Sequence, residues 1–562
     1  MTIRSRTAGL SFVLALALTV DGCGTGGSTG TGGSTGTGGS TGTGGSQGSA
    51  GTVAITVDTS QARRAISPFV YGYNAATAAE APPGATWLRL GGNRWTAYNW
   101  ETNYSNAGTD YGPYSNDTYM GSPSDGFGHA ALPSIDDAKA HGLGLCVTIP
   151  IQGWVSREKD GNASTSDPQS VYFLESRARK GSAFSLTPST SDAYVYQDEF
   201  ANLLATRWSG ASIPLHLMLD NEPDLWASTH AEVQRSPISY AALLAASIDF
   251  AGALKAAVPT ALVFGPASYG WNGFVNLQNA PDAGQNGDFL EYYLAQMSAA
   301  STSAGRRLLD VLDLHWYSEA QGCGARVIDL SSGDCLVAAR VQAPRSLWDP
   351  SFVESSWITQ WSTNGQAIRL VPRMLEKIAA RYPGTKLSIS EYDHGGGNDI
   401  SGAVAQADTL GIFGREGVYA ASYWTPKGGA SFVAGAWLAY RGYDGAGHSF
   451  GDTSVSASSA DIAHVSAYAS VDASSPDRVV IVLVHRPTLG SSGALDLSAR
   501  SATVQVAHAK ALTRARAWQL SSSSPVQGGA ARPQPLADIA VSGNALSVPL
   551  PALSVTTVEL TP

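Results

Sequence analysis

The sequence has few charged residues and no surplus of positive charge. Asp, Glu, Lys and Arg account for only 14% of the 562 residues, and 45 Asp and Glu outnumber 35 Lys and Arg, which gives a formal net charge of −10 at pH 7. Proteins that bind nucleic acid capture its phosphates mainly with clustered Lys and Arg. The composition therefore excludes electrostatic capture of nucleic acid, and a neutral or cationic partner fits better.

Two common catalytic motifs are also missing. The chain contains neither a Gly-rich phosphate-binding loop ending in Gly-Lys nor a His-Glu-x-x-His zinc motif. Tryptophan, by contrast, is abundant, with 14 residues. Large aromatic side chains fill cores and also line binding clefts, so the abundance of Trp is consistent with either use.

The N-terminal region has no hydrophobic run long enough to span a bilayer. Arg4 and Arg6 precede the apolar run Leu10–Val20, which is the arrangement of a signal peptide. The following Val20-Asp21-Gly22-Cys23 resembles a bacterial lipoprotein signal, in which a small residue precedes the cysteine that is lipidated. We predict a lipoprotein-type signal peptide over residues 1–23 and an extracytoplasmic protein, secreted or held at the outer surface of a bacterium. Ordinary cleavage that leaves Cys23 as a free thiol is the alternative.

Cysteine is scarce, with four residues in the whole chain. Cys323 and Cys335 are close enough in sequence to close a short loop, whereas Cys146 lies inside an apolar run. Disulfides persist outside the cytoplasm. We therefore expect one disulfide between Cys323 and Cys335 and a buried thiol at Cys146.

Short apolar runs recur along the middle of the chain, and helical patterns such as Ser239–Val258 and Ala367–Arg381 separate them. Buried strands that alternate with helices predict a parallel sheet covered on its outside, and eight such strands close a barrel. We predict an α/β fold with a (β/α)8 TIM barrel over residues 67–440. The eight predicted strands are Phe69–Tyr73, Thr86–Leu90, Leu143–Ile149, Leu215–Leu219, Ala261–Phe264, Val311–Leu314, Lys386–Ile389 and Ala420–Tyr423.

The segments on either side of the barrel have a different character. Residues 24–50 are rich in Gly, Ser and Thr, which predicts a flexible linker. Beyond Tyr440, short strands such as Val479–His485 and Val555–Leu560 predict an all-β sandwich. Residues 51–66 contain strand patterns without a helix. We expect them to join residues 441–562 in one sandwich domain.

Two glutamates follow barrel strands directly. Glu222 follows predicted strand four in Asp220-Asn221-Glu222-Pro223, and Glu391 follows predicted strand seven. In a (β/α)8 barrel the chemistry lies at the C-terminal ends of the strands. A retaining glycoside hydrolase needs one carboxylic acid and one carboxylate about 5–5.5 Å apart. The pair predicts such an enzyme; the alternative is that Asn-Glu-Pro forms only a turn with a carboxylate at a helix N-terminus.

Longer motifs carry a resemblance to a known family. The run from Leu90 to Asn103, with Ser105-Asn106-Ala107-Gly108 after it, resembles glycoside hydrolase family 44. Leu219–Pro223, Asp313–Tyr317 and Ile389–Tyr392 also resemble that family, and the similarity runs from about residue 53 to the C-terminus.

The resemblance implies a barrel with a β-sandwich and a retaining endo-β-1,4-glucanase. Its typical substrates would be xyloglucan, carboxymethylcellulose and mixed-linkage glucan. The resemblance assigns the acid/base role to Glu222 and the nucleophile role to Glu391, and it implies that Asn221 hydrogen-bonds the sugar 2-hydroxyl. We expect the negative charge of Glu391 and partial burial to raise the pKa of Glu222.

Other residues near the predicted barrel mouth are candidates for binding the sugar. His315 and Tyr317 end strand six, where Tyr317 would hydrogen-bond the nucleophile and His315 would face sugar hydroxyls. Both could equally be rim residues satisfied within the protein. Aromatic rings stack on the apolar faces of sugars, although core packing is the alternative for each one. Our candidates for stacking are Trp100, Trp357, Trp361 and Trp424.

We expect no cofactor for catalysis. Several family 44 enzymes carry a structural calcium ion, and the loop residues Glu101, Asp160 and Asp192 could serve, but they show no ordered ligand spacing and we assign no metal ligands.

The expected partner is a β-glucan polysaccharide, with contact to a membrane only through a lipid anchor at Cys23, and the expected state is a monomer. Two other functions stay open. The first is a retaining barrel glycosidase acting on mannan or xylan, since the catalytic pair is shared by many such enzymes. The second is a non-catalytic cell-surface polysaccharide-binding protein, which would have no need of both glutamates.

Overall fold

The structure is a computed structural model that describes residues 51–110, 114–158, 162–329, 332–424 and 429–562. The predicted signal peptide, Cys23 and the predicted linker lie outside the described residues. Parallel strands close into a barrel in the order of the chain, which confirms the predicted fold class. The eight barrel strands are Gly72–Tyr73, Trp87–Leu90, Gly144–Ile149, His216–Leu219, Leu262–Ser268, Val311–Tyr317, Lys386–Asp393 and Ala420–Tyr423.

Strand one is much shorter than predicted. Pro68–Tyr71 forms a 3-10 turn, so only Gly72–Tyr73 remains as a strand. Pro68 fixes its own φ at a helical value and has no N–H to donate, and the Ser67 hydroxyl accepts a hydrogen bond from the Phe69 N–H at 3.3 Å. Together these residues start a helical turn where the β-branched and aromatic composition favoured a strand.

Helices cover the outside of the barrel. The connection from strand one to strand two, residues 74–86, contains no helix, but each later connection does. Ser239 and Asp288 cap two of the helices, because their side-chain oxygens accept hydrogen bonds from the N–H groups of Ala242 and Glu291. The main outer helices are Leu132–His141, Gln197–Trp208, Tyr240–Ala257, Phe289–Ala304, Leu370–Arg381, Ile400–Glu416 and Ser431–Tyr440.

Short elements extend the loops at the C-terminal ends of the strands. The loop after strand three contains a sheet of Trp154–Ser156, Phe173–Arg177 and Tyr194–Tyr196. Small helices follow strands two, four, five and six. These helices are Asn93–Thr96, Trp226–Thr229, Trp271–Asn276, Ala283–Asn286 and Asp334–Gln342.

The C-terminal region is a sheet that folds over its own apolar side chains. Thr453–Ser459 pairs with Val465–Val471 through its first half and with Thr52–Asp58 through its second half, so this strand joins two leaves. Val57 and Val504 of one leaf and Ile481 of the other belong to a single buried cluster. The remaining main strands are Val479–His485, Arg500–Ala507, Arg514–Leu520, Ala545–Leu550 and Ser554–Thr561.

The N-terminal strand belongs to this sheet. Thr52–Asp58 runs parallel to Arg500–Ala507, and Arg64–Ala65 pairs with Thr453–Ser454. The chain therefore enters the sheet once before the barrel and returns to it after the barrel.

A buried ion pair fixes the sheet to the barrel. Asp408 lies in helix Ile400–Glu416, directly after strand seven, and it accepts hydrogen bonds from Arg486 at 2.6 Å and from Tyr468 at 2.7 Å. The side chains of Asp408 and Arg486 are 0% and 1% exposed. Removal of either partner would leave an uncompensated buried charge. The helix Ile400–Glu416, which follows the strand that contains Glu391, is thereby held against the sheet.

The cysteine predictions are confirmed. Cys323 and Cys335 form a disulfide that closes the loop after strand six, and Cys146 is a buried free thiol in strand three.

Candidate active site

Glu222 is placed at the barrel mouth by a strained turn. Strand four ends at Leu219, and both Asp220 and Glu222 adopt left-handed backbone conformations, with φ of 64° and 42°. The turn is fixed from both sides. The Asp220 carboxylate accepts hydrogen bonds from the N–H groups of Ile151 at 2.6 Å and Gln152 at 3.0 Å, and the Glu222 N–H donates to the Ala267 carbonyl at 3.0 Å. Non-Gly residues in this conformation persist only where surrounding contacts enforce it, as at many functional sites.

Glu391 lies within strand seven and is held by two donors. Arg89 donates to Oε1 at 2.6 Å, and the Tyr317 hydroxyl donates to Oε2 at 2.6 Å. The Tyr317 contact is the one expected from the sequence. Because both carboxylate oxygens are fixed, the carboxylate cannot rotate freely.

His315 lies between the two glutamates. Its Nδ1 is 2.9 Å from Oε1 of Glu222 and 3.6 Å from Oε2 of Glu391. One oxygen of each glutamate and one ring nitrogen of His315 all lie within 4.8 Å of one another. Two carboxyl oxygens this close fit the spacing of retaining glycoside hydrolases better than that of inverting ones, whose carboxyl groups are about 6.5–9.5 Å apart.

The environments of the two carboxyl groups drive their pKa values in opposite directions. Burial raises the pKa of Glu222 and the charge of Glu391 adds to the effect, while His315 and Arg89 lower it in part. Burial also acts to raise the pKa of Glu391, but His315, Arg89 and the hydrogen bond from Tyr317 together bring it below its ordinary value. The arrangement thus separates the two pKa values, with Glu222 the group that holds its proton to higher pH and Glu391 the group that ionises first.

His315 is itself affected by this pair. Burial by itself lowers the pKa of His315, but the charges of Glu391 and Glu222 and a hydrogen bond to Glu222 raise it above its ordinary value. The structure thus places His315 between the carboxylates, where it serves their charge balance, in addition to any contact with sugar.

Arg89 is a site residue that the sequence analysis missed. It was read as part of the apolar run Thr86–Leu90, yet its guanidinium is buried inside the barrel. Besides Glu391, it donates to Asn74 Oδ1 at 3.1 Å and to Asn221 Oδ1 at 2.8 Å. A single Arg inside an otherwise apolar barrel strand was the signal, since a buried cation needs anionic or polar partners.

Asn221 lies beside the pair with its amide orientation fixed. Its Oδ1 accepts hydrogen bonds from Arg89 and, at 3.3 Å, from the Gly92 N–H, so its Nδ2 must be the group that faces Asn93 Oδ1 at 3.2 Å. The second N–H of Nδ2 has no partner in the part of the chain that the structure describes. It is a donor available to a sugar hydroxyl.

The candidate aromatic residues divide into two groups. Trp100 is 0% exposed and stacks on Phe200 with ring centroids 5.5 Å apart, so its assignment as a sugar platform is corrected: it is a core residue. Its indole N–H donates to the Tyr196 carbonyl at 3.2 Å, which satisfies its one polar atom inside the protein. Strand two ends near Trp100, but the short helix Asn93–Thr96 turns the chain back into the core.

The other three Trp residues have exposed surface. Trp361 lies in the helical turn Ile358–Ser362 and is 73% exposed, whereas Trp357 is half-buried and hydrogen-bonds Glu319. Trp424 follows strand eight and packs against Gly92, where a Cβ would approach Trp424 Cη2 to 2.9 Å. These three residues can offer ring faces to a ligand.

Glu101 has surroundings that suit a bound cation. The residue is 3% exposed, and its Oε1 has no hydrogen-bond partner within the described residues. Burial, followed by the charges of Asp192 and Glu199, raises the pKa of Glu101 to about 8. A hard cation with oxygen ligands would relieve this uncompensated carboxyl group. Asp160, the third predicted acidic residue, lies outside the described residues.

Comparisons with known proteins identify the family that the chain is similar to. The family model of glycoside hydrolase family 44 matches residues 104–320. Endoglucanase A of Paenibacillus lautus is 38% identical over 519 residues, which cover 89% of this chain and 71% of that protein. Beta-mannanase/endoglucanase A of Caldicellulosiruptor saccharolyticus is 40% identical over 461 residues, which cover 77% of this chain but only 34% of that longer protein.

Solved structures show the same similarity. A xyloglucanase of family 44 from Paenibacillus polymyxa, solved with xyloglucan, has a TM-score of 0.84 and 36% identity, covering 91% of this chain and 100% of that one. A family 44 endoglucanase from Clostridium thermocellum has a TM-score of 0.82 and 37% identity with the same coverage.

Proposed function

This chain belongs to glycoside hydrolase family 44, and we propose that it cleaves β-1,4-glucan backbones internally by a retaining double displacement at Glu222 and Glu391. One observation carries the assignment of the residues. The two carboxyl groups lie within 4.8 Å of each other, one with a raised pKa and the other bound by Arg89 and Tyr317.

In the first step, the Glu391 carboxylate attacks the anomeric carbon and the bond from that carbon to the leaving oxygen breaks. Glu222 donates its proton to that oxygen, so the leaving chain departs as an alcohol. Arg89 and Tyr317 direct the Glu391 oxygens, and Asn221 donates its remaining N–H to the 2-hydroxyl. The product of the step is a glycosyl ester on Glu391.

In the second step, Glu222 is ionised and accepts a proton from a water molecule. The water oxygen attacks the anomeric carbon, the ester bond to Glu391 breaks, and both carboxyl groups return to their starting states. Two inversions at one carbon give net retention of configuration.

The substrate is proposed to be a glucan, namely xyloglucan, carboxymethylcellulose or mixed-linkage glucan. Relatives of this chain are named endoglucanase and xyloglucanase, which supports the proposal. We propose that Trp357, Trp361 and Trp424 bind glucosyl rings along the cleft, because each keeps exposed ring surface near the ends of strands six and eight.

A second candidate is activity on mannan or xylan. One relative is named beta-mannanase/endoglucanase and a solved relative is described as a bifunctional glucanase-xylanase. The pair at Glu222 and Glu391 would serve any of these backbones equally. A purely sugar-binding role is disfavoured, because such a protein would need neither the strained turn at Glu222 nor two matched carboxyl groups.

The first prediction concerns the substrate. We expect the folded region, residues 51–562, to release reducing ends from xyloglucan, carboxymethylcellulose and mixed-linkage glucan, with a rapid fall in viscosity that marks internal cleavage. Mannan and xylan assayed beside them separate the two candidates. Cleavage of mannan or xylan alone would move the substrate, and tight binding without cleavage would contradict the enzymatic assignment.

We propose further that the enzyme acts outside the cytoplasm as a monomer tethered through Cys23. The pattern of residues 1–23 and the Gly-rich composition of residues 24–50 support the tether. For a coil of this composition the reach is about 5–6 Å times the square root of the residue number, so the linker would hold the enzyme roughly 25–30 Å from its anchor.

We propose that Glu101, with Asp192 as a neighbour, holds a structural calcium ion. The ion would stabilise the loop beside the helix Gln197–Trp208 and take no part in the chemistry. Removal of calcium with a chelator is expected to lower the thermal unfolding midpoint by several degrees, because about 1 kcal/mol corresponds to 2–4 °C in a large domain.

The control for this prediction is Glu101→Gln, which keeps the side-chain shape and removes the charge. The variant should unfold at the same temperature with and without added calcium. A wild-type midpoint that is insensitive to chelator and to added calcium would show that no such ion is bound.

A further inference from the structure

Asp110 is a carboxylate near the barrel mouth that the two chemical steps do not use. It ends the short turn Gly108–Asp110 in the loop after strand two and is partly exposed. Its Oδ2 accepts a hydrogen bond from Asn93 Nδ2 at 2.8 Å, and Asn93 Oδ1 accepts one from Asn221 Nδ2 at 3.2 Å. A chain of hydrogen bonds therefore runs from Asp110 to the amide beside Glu222.

The direction of each hydrogen bond in this chain is determined. Since Arg89 and Gly92 occupy Oδ1 of Asn221, Nδ2 of Asn221 faces Asn93. Asn93 must then present its oxygen to Asn221 and its nitrogen to residue 110. An ionised carboxylate accepts hydrogen bonds and donates none, so Asp110 enforces this orientation of the Asn93 amide.

The turn that carries Asp110 is firmly anchored. Gly108 has φ of 57°, and a Cβ there would lie 1.9 Å from the Thr229 carbonyl oxygen, so only glycine fits this close contact. The Gly108 N–H donates to Asn106 Oδ1 at 2.8 Å. On the other side, His230 Nε2 lies 2.9 Å from the Asn93 carbonyl oxygen. Asp110 and Asn93 are thus fixed relative to strand four.

Asp110 also faces the charges of the site. Burial raises the pKa of Asp110 to about 6; the hydrogen bond from Asn93 and the charge of His230 lower it, and the charges of Glu222 and Glu391 raise it. His230 is paired with Glu232 at 3.1 Å. The charges of Glu222 and Glu391 thus act on Asp110, which lies at the other end of the hydrogen-bond chain from Asn221.

We infer that Asp110 is a positioning residue for the glycosyl unit that is cleaved. Acting through Asn93, it holds the Asn221 amide in the orientation that leaves one N–H for the 2-hydroxyl of that unit. The inference rests on the proposed function and adds a specificity element to the same site. Its contribution belongs to kcat, because contacts to the 2-hydroxyl strengthen in the transition state.

The test compares Asp110→Ala, Asn221→Ala and the double variant with the wild type on an aryl β-cellobioside. The second substrate is the analogue that lacks the 2-hydroxyl on the cleaved unit. We expect Asp110→Ala to lower kcat by about 10-fold with little change in KM. The double variant should be no slower than Asn221→Ala alone, since both act on one contact. On the 2-deoxy substrate Asp110→Ala and the wild type should be equal.

Two further variants control the result. Asp110→Asn can still accept a hydrogen bond from Asn93 and should recover most of the lost kcat, and it covers the case in which Asp110→Ala does not fold. Asp110→Asn lacks the negative charge of Asp110, so Glu222 should lose its proton more easily in this variant. The basic limb of the pH profile of Asp110→Asn should therefore lie at lower pH than that of the wild type. Asp125→Asn, a change in an exposed cap of the same region, should match the wild type.

Three outcomes would overturn the inference. These are a wild-type kcat in Asp110→Ala, losses that multiply in the double variant, or an equal loss on the 2-deoxy substrate. If the wild-type protein cleaves neither the aryl glycoside nor any glucan, the proposed function fails instead, and this result is visible before any variant is made.

Discussion

Replacement of Glu391 by Ala is expected to lower kcat for glucan hydrolysis by about 10⁴-fold or more. In the proposed mechanism the Glu391 carboxylate forms the bond to the anomeric carbon, and Arg89 and Tyr317 donate hydrogen bonds to its two oxygens at 2.6 Å each. Glu222 cannot replace it, since the turn at Asp220–Glu222 fixes the position of Glu222. The measurement is reducing-end release from carboxymethylcellulose, with circular dichroism to establish that the variant is folded.

Azide identifies the role of Glu391 directly. In Glu391→Ala a small anion fits the space left by the carboxylate, next to the Arg89 guanidinium, and attacks the anomeric carbon from that face. An activated aryl β-glycoside should then yield the α-glycosyl azide.

Glu391→Gln preserves the packing but not the charge and should be equally inactive. Glu376→Gln, a change of a largely exposed glutamate on helix Leu370–Arg381, serves as the control and should leave the rate unchanged. Retention of more than about 1% of kcat in Glu391→Ala would show that another group is the nucleophile.

Replacement of Glu222 by Ala is expected to have the second largest effect, a loss of about 10²–10⁴-fold in kcat on polysaccharide. The loss arises because a glucan leaving group must be protonated as it departs. A dinitrophenyl leaving group needs no proton, so on that substrate the first step should proceed at a rate near that of the wild type. The glycosyl ester on Glu391 should then accumulate and be detectable by mass spectrometry of the intact protein.

The product with azide distinguishes Glu222 from Glu391. In Glu222→Ala, azide attacks the glycosyl ester from the opposite face and should give the β-glycosyl azide. Equal loss on the polysaccharide and on the dinitrophenyl glycoside would contradict the acid/base role, because the need for protonation differs between the two substrates.

The pH dependence of kcat/KM follows from the same pair. The proposed mechanism needs Glu391 ionised and Glu222 protonated. The pKa of Glu391 is lowered, so the acidic limb should lie below the ordinary range of a glutamate; the pKa of Glu222 is raised, so the basic limb should lie above it. Activity is lost as the pH falls through the lower value and as it rises through the upper one. Glu222→Gln, which cannot ionise, should lack the basic limb on a dinitrophenyl glycoside.

The similarity of this chain to its relatives identifies the family to which its chemistry belongs. It does not by itself identify which polysaccharide this chain prefers. Strands four, six and seven supply Glu222, Glu391 and the residues that contact them. Any β-1,4-linked backbone that is cleaved would contact these residues. Mannan differs from glucan at C2 and xylan differs from it at C5 in every unit, so the choice of polymer depends on the proposed contact of Asn221 with the 2-hydroxyl as well as on the proposed contacts of Trp361 and Trp424 with neighbouring units. For this reason the assays compare polymers, whereas the variants test the pair.

Much of this protein was determined by the sequence itself. Alternation of buried runs with amphipathic helices predicts a closed barrel, because a parallel sheet must be covered on both sides. A carboxylate near the C-terminal end of each of strands four and seven places Glu222 and Glu391 at one rim, since all strands of such a barrel point the same way. The prediction of Tyr317 as a partner of Glu391 follows from the same geometry.

Only the tertiary structure decided which side chains contact each other when they come from different strands and loops. Arg89 is part of a predicted apolar run, yet its guanidinium lies inside the barrel. There it donates to Asn221 and Glu391, which are distant in sequence, and to Asn74, which follows strand one. Trp100 was expected at the mouth, but the helix Asn93–Thr96 directs it into the core against Phe200. Periodicity fixes which strand a residue belongs to and which end of the barrel it lies near. Which partner a side chain meets depends on how the strands are staggered and how the loops between them fold, and these follow from packing among residues separated by hundreds of positions.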